Sequence, residues 1–181
     1  EAMEEQQVSA EGQTRQLPSP FFVIATQNPT HQVGTFALPE SQLDRFLMCL
    51  SLGYPDAAAE RALLMGEDRR ILLKKMAAIM QPAELMAAQD MVRQIHASSS
   101  LINYVQQLAQ ATREAAVFAD GMSPRAAIAL LQAARAWAAM EGRDHVLPED
   151  VQAVLAPVIA HRLRPIKAVH NKAYASVDLL T

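Results

Sequence analysis

The sequence contains a single cysteine, Cys49, which excludes an intrachain disulfide framework and any zinc site built from a cysteine cluster. Its hydrophobic neighbours predict a buried, inert thiol. No apolar run approaches the roughly 18–20 residues that a membrane-spanning helix needs. No signal peptide is recognised, since the chain opens on the acidic, helix-forming residues 1–5, and we expect a cytoplasmic protein. The same opening lacks an initiator methionine and resembles the middle of a helix, so we expect part of a longer protein.

The chain also has no excess of basic residues. There are 16 lysines and arginines against 19 aspartates and glutamates, a formal net charge of −3. This balance gives no reason to expect nucleic acid or an anionic membrane as a partner. One basic cluster near the C-terminus is interpreted as a solvated end; it comprises Arg162, Arg164, Lys167 and Lys172. The five histidines are scattered without the spacing of metal ligands, so no metal site is predicted.

Apolar residues are abundant and follow two patterns. The chain is 51% hydrophobic with a mean hydropathy of +0.03, which is enough for a packed core. In the first part, short arms around Glu11-Gly12 predict a hairpin over 8–17. The continuous apolar runs 21–26 and 46–52 predict strands buried on both faces. A short helix over 39–45, with Pro39 in its first turn, is predicted between them.

Beyond Tyr54-Pro55 the apolar spacing changes to three and four residues, which predicts helices. The expected ranges are 56–66, 82–96, 100–117, 124–140 and 148–163. Pro82, Pro124 and Pro148 fall at first turns, and Ser123 is a good N-cap. Short links between these helices predict a compact bundle. We therefore expect one domain over 1–54, a helical domain over 55–165 and a tail over 166–181.

Three polar residues could carry chemistry. Asn28 ends the first predicted strand, where α/β sheets bind ligands, and its carboxamide can both hold a phosphate oxygen and orient a water. Arg45 ends the short helix, and its planar guanidinium suits phosphate oxygens. Arg125 occupies the second position of a helix, and a helix amino terminus attracts anions. Each residue alone is also explained without chemistry, as a turn or as a surface charge; Arg45 would then pair with Asp44 or Glu40.

Taken in order, these residues resemble the MoxR family of AAA+ ATPases. The core signature is Ala25-Thr26-Gln27-Asn28-Pro29, Gly34-Thr35-Phe36 and Leu38-Pro39-Glu40-Ser41-Gln42-Leu43-Asp44-Arg45-Phe46. The lid signature is Ser123-Pro124-Arg125-Ala126, Ala133-Ala134-Arg135-Ala136, Gly142-Arg143, Pro148-Glu149-Asp150-Val151 and His161-Arg162-Leu163. The resemblance implies an α+β fragment that is mainly α. A hairpin and two strands would be the remnant of an AAA+ α/β core, followed by an all-α helical lid.

The same resemblance implies roles for the three polar residues. Asn28 would be the sensor-1 amide, Arg45 an arginine finger acting in trans, and Arg125 the sensor-2 arginine. The hairpin would be the pre-sensor-1 hairpin of the family. ATP and Mg²⁺ would be cofactors of the intact protein, which would assemble as a homo-oligomeric ring, usually a hexamer. Family members act as chaperone-like remodellers, often beside a von Willebrand factor A domain protein, and mature metalloenzyme clients.

The family's Walker A motif, Gly-x-x-x-x-Gly-Lys-Ser/Thr, and its Walker B acidic pair are absent from these 181 residues. Nothing then cradles the β- and γ-phosphates or holds Mg²⁺. We therefore expect the chain alone to be inactive and to carry no cofactor. The alternative is a non-enzymatic helical protein-interaction module. A third possibility, a helix-turn-helix domain that binds DNA, is disfavoured by the acidic charge and the lack of a basic recognition helix.

Overall fold

A computed structural model describes residues 1–27, 38–66 and 68–166. The N-terminal part contains an antiparallel hairpin of β1 (Gln7–Ala10) and β2 (Gln13–Gln16), in which Gln7 faces Gln16. Its two turn residues, Glu11 and Gly12, have φ of 54° and 76°. Two consecutive positive φ angles are what a two-residue hairpin turn requires. The predicted hairpin is confirmed.

The other regular elements of the described chain are helices. The helices are α1 (Glu40–Leu43), α2 (Ala57–Met65), α3 (Arg69–Lys75), α4 (Pro82–Gln94), α5 (Ser99–Glu114), α6 (Pro124–Met140) and α7 (Pro148–Ile159). The helices predicted from residue 39 onward are present, several of them shorter than expected, and α3 was not anticipated. The expectation of a helix at the start of the chain is wrong, since residues 2–5 form only a turn. The fold class is therefore confirmed as mainly α with one hairpin.

Local sequence explains where these helices begin. Pro82, Pro124 and Pro148 are the first residues of their helices, where the missing N–H costs nothing. The Asp56 side chain accepts a hydrogen bond from the Ala59 N–H at 2.7 Å and so caps α2. A capping side chain of this kind satisfies a donor that the helix itself leaves free.

The core lies among α5, α6 and α7, with α4 packed against α6. In α6 a row of residues spaced by four is fully buried; it comprises Ala126, Leu130, Ala134 and Ala138. Three of the four are alanines, so neighbouring helices can approach α6 closely. From α7, Val151, Val158 and Ile159 complete the fully buried layer. This four-helix body provides the rigid frame for the site described below.

Three expectations about local environment are wrong. Residues 21–26 and 46–52 have no strand partner in the described parts of the chain, and their apolar side chains are partly exposed, Phe22 by 68% and Ile24 by 78%. A strand needs a neighbour to bond its backbone, and an apolar run alone does not provide one. Cys49 is exposed rather than buried. Helix α2 packs against no other helix of the described chain, so the bundle comprises four helices rather than five.

Candidate functional site

The segment that leads into α6 is fixed against the end of α5. The Met122 N–H donates to the Thr112 hydroxyl at 2.9 Å, and that hydroxyl donates to the Ala109 carbonyl at 2.7 Å. The Arg113 Nε–H donates to the Met122 carbonyl at 2.9 Å. A Cβ on Gly121 would lie 2.5 Å from the Arg113 Cα, so only glycine allows this approach. The start of α6 is therefore held in one place.

This start carries Arg125, the second residue of α6. The Ser123 hydroxyl caps the helix by accepting from the Ala126 N–H at 3.0 Å. The same hydroxyl donates to the Asp44 carboxylate at 3.1 Å, and Arg125 Nη1 donates to Asp44 Oδ2 at 3.2 Å. Asp44 therefore contacts both the cap of α6 and its arginine. The negative carboxylate also suits the positive end of the helix dipole.

Asp44 and Arg45 follow directly after the single turn of α1. The Asp44 N–H donates to the Glu40 carbonyl at 2.9 Å and the Arg45 N–H to the Gln42 carbonyl at 3.2 Å, so the backbone still curls at this point. Because the backbone still turns here, the two adjacent side chains point towards different partners. Asp44 contacts α6, whereas Arg45 contacts the N-terminal segment.

Arg45 and Arg125 meet at Glu4. Arg45 Nη1 pairs with one carboxylate oxygen, Oε2, and Arg125 Nη2 pairs with the other, Oε1, at 2.5 Å. Hydrogen bonds to Glu4 and then to Asp44 raise the pKa of Arg125. The three side chains are 33–46% exposed, so these contacts add little stability. They do show that two guanidinium groups, predicted separately, can bind a single oxyanion between them.

Arg162 is the residue that sequence reasoning missed. Its side chain is only 4% exposed and its Nε lies 3.0 Å from Asp44 Oδ1, so the prediction of a solvated basic end is wrong for this residue. Burial lowers the pKa of Arg162, and the charge of Asp44 opposes that effect. One signal was available: Arg162 follows the last helix, where cations stabilise free carbonyls. No local signal links Glu4 to Arg125, which lies 121 residues away.

Some of the other predicted features lie outside the part of the chain that the structure describes. Asn28 lies outside the described residues, as do Gly34-Thr35-Phe36 of the signature. A concavity of about 200 Å³ lies beside Arg45 and is lined mainly by apolar side chains, among them Phe21, Phe22 and Phe46. Within the described ranges, no group of three potential metal ligands occurs. No helix in those same ranges is long and apolar enough to cross a membrane.

Two family models match the chain, and each covers some of the residues of this site. The model of the ATPase family associated with various cellular activities (AAA) matches residues 1–48, which include Glu4, Asp44 and Arg45. The model of the AAA lid domain matches residues 110–178, which include Arg125 and Arg162. The ion-paired cluster thus joins residues of both matched regions.

Curated relatives agree with these matches. The chain is 37% identical over 174 residues to the chaperone MoxR1 of Mycobacterium tuberculosis, covering 90% of this chain and 45% of that protein. It is 35% identical over 177 residues to the protein MoxR of Paracoccus denitrificans, covering 87% and 52%. It is 39% identical over 163 residues to YeaC of Bacillus subtilis, an uncharacterised protein, covering 90% and 51%. The chain spans about half the length of the curated relatives it matches.

A solved structure extends the agreement to the backbone. The crystal structure of a Cytophaga hutchinsonii protein with an ATPase assignment superposes with a TM-score of 0.83 at 32% identity, covering 99% of this chain and 58% of that one. The hairpin, the helical lid, both family models and the MoxR relatives lead to the same conclusion. The chain belongs to the MoxR family of AAA+ ATPases.

Proposed function

We propose that this chain is the sensor and lid part of an AAA+ ATPase that remodels other proteins in a chaperone-like way. Residues 1–54 would be the C-terminal part of the α/β core, 55–165 the lid and 166–181 a tail. The observation that carries the proposal is the convergence of Arg45 and Arg125 on the two oxygens of Glu4. Two guanidinium forks aimed at one anion suit a transferring phosphoryl group.

In this proposal each of the three residues has a defined task. Asn28 holds a phosphate oxygen and orients the attacking water through its carboxamide. Arg45 reaches the ATP of a neighbouring subunit in the ring and neutralises charge that develops on the γ-phosphoryl group. Arg125 binds phosphate from the start of α6 and transmits the nucleotide state to the lid. The bound ATP supplies the phosphoryl group, and the arginines of this chain bind and orient it.

These 181 residues do not make a complete nucleotide site. The arginines fit phosphate oxygens, but the sequence contains no Walker A loop and no Walker B pair to hold the β-phosphate and Mg²⁺. We propose that both motifs lie upstream in the same reading frame, and that the chain alone neither hydrolyses ATP nor binds it tightly. Among the described residues, no cluster of three potential ligands could hold Mg²⁺.

The assembly and partners follow from the family. The intact protein would form a homo-oligomeric ring, with six subunits as the expected number, in the cytoplasm. A von Willebrand factor A domain protein and a metalloenzyme client are the expected partners, whereas nucleic acid and membrane are not. The acidic net charge of −3 fits this choice of partners.

The test compares ATP binding and hydrolysis by the 181-residue chain and by a chain extended upstream to the start of the reading frame. We expect ATP turnover only from the extended chain. If the extended chain is also inert and binds no ATP, the non-enzymatic interaction module replaces the ATPase. If the 181-residue chain hydrolyses ATP above background, the assignment of the missing motifs is wrong.

A further inference from the structure

Residues 44–49, which carry Arg45 and are called the finger segment below, lie on the C-terminal end of α7. The last carbonyls of a helix have no partner within the helix. Here the Cys49 N–H donates to the Pro157 carbonyl at 2.8 Å, and Arg162 Nη1 donates to the Val158 carbonyl at 2.6 Å. The Met48 side chain packs against the core of the lid. The finger segment thus completes the end of a lid helix.

Arg162 connects the two elements through one buried guanidinium. Its Nη2 donates to the Phe46 carbonyl at 2.6 Å and to the Asp44 carbonyl at 3.1 Å, and its Nη1 donates to the Leu47 carbonyl at 3.2 Å. Its Nε lies 3.0 Å from Asp44 Oδ1 as an ion pair without an aligned hydrogen bond. A lysine has one compact donor group in place of this planar fork, so it cannot reproduce the set of contacts.

Asp44 connects the same segment to α6. Its carboxylate accepts from the Ser123 hydroxyl and from Arg125 Nη1, and it faces Arg162 as well. Its side chain is 21% exposed, so water screens these charges only partly. The carboxylate of Asp44, the residue immediately before Arg45, therefore links this segment to the start of α6 and, through Arg162, to the end of α7.

We propose that Asp44 and Arg162 are positioning residues that attach the finger segment to the lid, so that Arg45 and Arg125 move as one unit. A change of the lid in one subunit would then displace the arginine that the same subunit presents to its neighbour. The attachment can be tested without nucleotide. Its effect on ATP turnover rests on the proposed function.

The attachment is tested in the 181-residue chain with probes at Cys49. Because Cys49 is the only cysteine and is exposed, a nitroxide label placed there reports on the finger segment without added mutations. In the unlabelled chain we expect the Cys49 amide to exchange with solvent at least about tenfold more slowly than an unstructured amide. Exchange at the unstructured rate would overturn the attachment, whatever any variant does.

The variants are Asp44→Asn, Arg162→Lys and, as the matched control, Arg164→Lys. Arg164 also pairs with the region around α1, through Glu40 at 2.6 Å, but it is 60% exposed and should matter little. We expect both test variants to raise the mobility of the label and to speed exchange of the Cys49 amide by about tenfold or more, and the control to leave both unchanged. An equal response of test and control variants would overturn the attachment. Circular dichroism identifies any variant whose helices are lost. The result for Asp44→Asn, in which the side chain keeps nearly the same shape, then determines whether the attachment exists.

The coupling is tested in the extended chain. We expect Asp44→Asn and Arg162→Lys to lower kcat for ATP by about tenfold while KM changes by no more than about twofold, and Arg164→Lys to have no effect. A more mobile label and a faster-exchanging Cys49 amide, together with an unchanged kcat, would overturn the coupling. If the unmodified extended chain is inactive, the proposed function fails, and the Cys49 probes still decide whether the attachment exists.

Discussion

Arg143 and Asp150 form a two-pronged ion pair at the start of α7. Arg143 Nη1 donates to Asp150 Oδ2 at 2.6 Å and Nη2 to Oδ1 at 2.5 Å. Asp150 Oδ2 also accepts from the Leu147 N–H at 2.8 Å, so this carboxylate supplies the cap that the Leu147 side chain cannot. The Asp150 side chain is 2% exposed, and hydrogen bonding from Arg143 lowers its pKa.

We predict that Asp150→Asn lowers the free energy of unfolding by about 2–3 kcal/mol. This is below the ~3–5 kcal/mol of a fully buried pair, because Arg143 is 27% exposed and regains some water. Urea unfolding measures the loss. In the unmodified chain this stabilisation is complete above the ordinary carboxyl pKa of about 3.9 and disappears as the pH falls through the lowered value. Asp144→Asn, at a 98% exposed aspartate, is the control; an equal loss there would refute the assignment.

His161 predicts a second pH effect at the end of α7. Burial lowers its pKa, and its Nε2 lies 3.2 Å from the Phe46 carbonyl, so the neutral ring donates from Nε2. The neighbouring positive charge of Arg162 lowers the pKa further, whereas the hydrogen bond to the Phe46 carbonyl and the negative charge of Asp44 oppose the shift. The spacing of the histidines in the sequence did not predict this partly buried position.

We predict that the free energy of unfolding falls between pH 7 and pH 5.5 because of His161. The folded-state pKa is below the unfolded value of about 6.5, so the unfolded state binds the proton first as the pH decreases. This stabilisation is complete above about pH 6.5, and its slope is at most about 1.4 kcal/mol per pH unit. Chemical unfolding at several pH values should show a weaker slope in His161→Gln. His145→Gln, at a 51% exposed histidine, should retain the slope, and the reverse result would exclude His161 as the cause.

Sequence reasoning selected Arg45 and Arg125 as candidates but did not predict the carboxylates that they pair with. Both arginines were recognisable because their local contexts are informative: the end of a short helix and the first turn of a long one. Asp44 was considered only as a surface partner of Arg45, whereas it pairs with Arg125 and Arg162. Glu4 and Arg125 come together only when the chain has folded. Local spacing carries no information about such contacts.

At the scale of elements, the junction between α5 and α6 sets the position of Arg125. Thr112 is 2% exposed, and its hydroxyl is the partner of the Met122 N–H. Together with Arg113, this side chain holds the segment that begins with Gly121 against α5. The junction is therefore a place where a small change should disturb an element without touching the arginine itself.

We predict that Thr112→Val lowers the free energy of unfolding by about 1–3 kcal/mol, because it has nearly the same shape but leaves the buried Met122 N–H without an acceptor. Thr112→Ser keeps the hydroxyl and loses one methyl group, at a cost of about 1 kcal/mol. Thermal or urea unfolding of the two variants provides the comparison. A larger loss in Thr112→Ser than in Thr112→Val would show that packing, and not the hydrogen bond, fixes this junction.

The elements were predictable to the extent that they are local. Helices that start with proline or with a capping side chain were placed at or close to the observed residue, as Pro82, Pro124 and Pro148 show. Helix α3 was missed because it has seven residues and only one clear signal, the Asp68 side chain that accepts from the Arg70 N–H at 2.8 Å. The strands expected at 21–26 and 46–52 depend on neighbours that an apolar run cannot specify.

At the scale of the whole molecule, the chain contributes arginines from two matched regions to one cluster. Glu4, Asp44 and Arg45 come from the region that matches the AAA family, and Arg125 and Arg162 from the region that matches its lid. In the proposed ring, Arg45 would be presented to the ATP of the neighbouring subunit. The proposed function therefore depends on whether Arg45 acts on ATP.

The most direct measurement is ATP turnover and ATP affinity of the extended chain with Arg45→Ala. We predict that turnover falls by about 10³-fold or more, the range known for arginine fingers, while ATP affinity changes by less than about threefold. Arg93→Ala is the matched control, because Arg93 also pairs with a carboxylate, Asp90 at 2.5 Å, but on the exposed face of α4. Turnover within about tenfold of the unmodified protein, or an equal loss in the control, would contradict the assignment of Arg45 as the arginine finger.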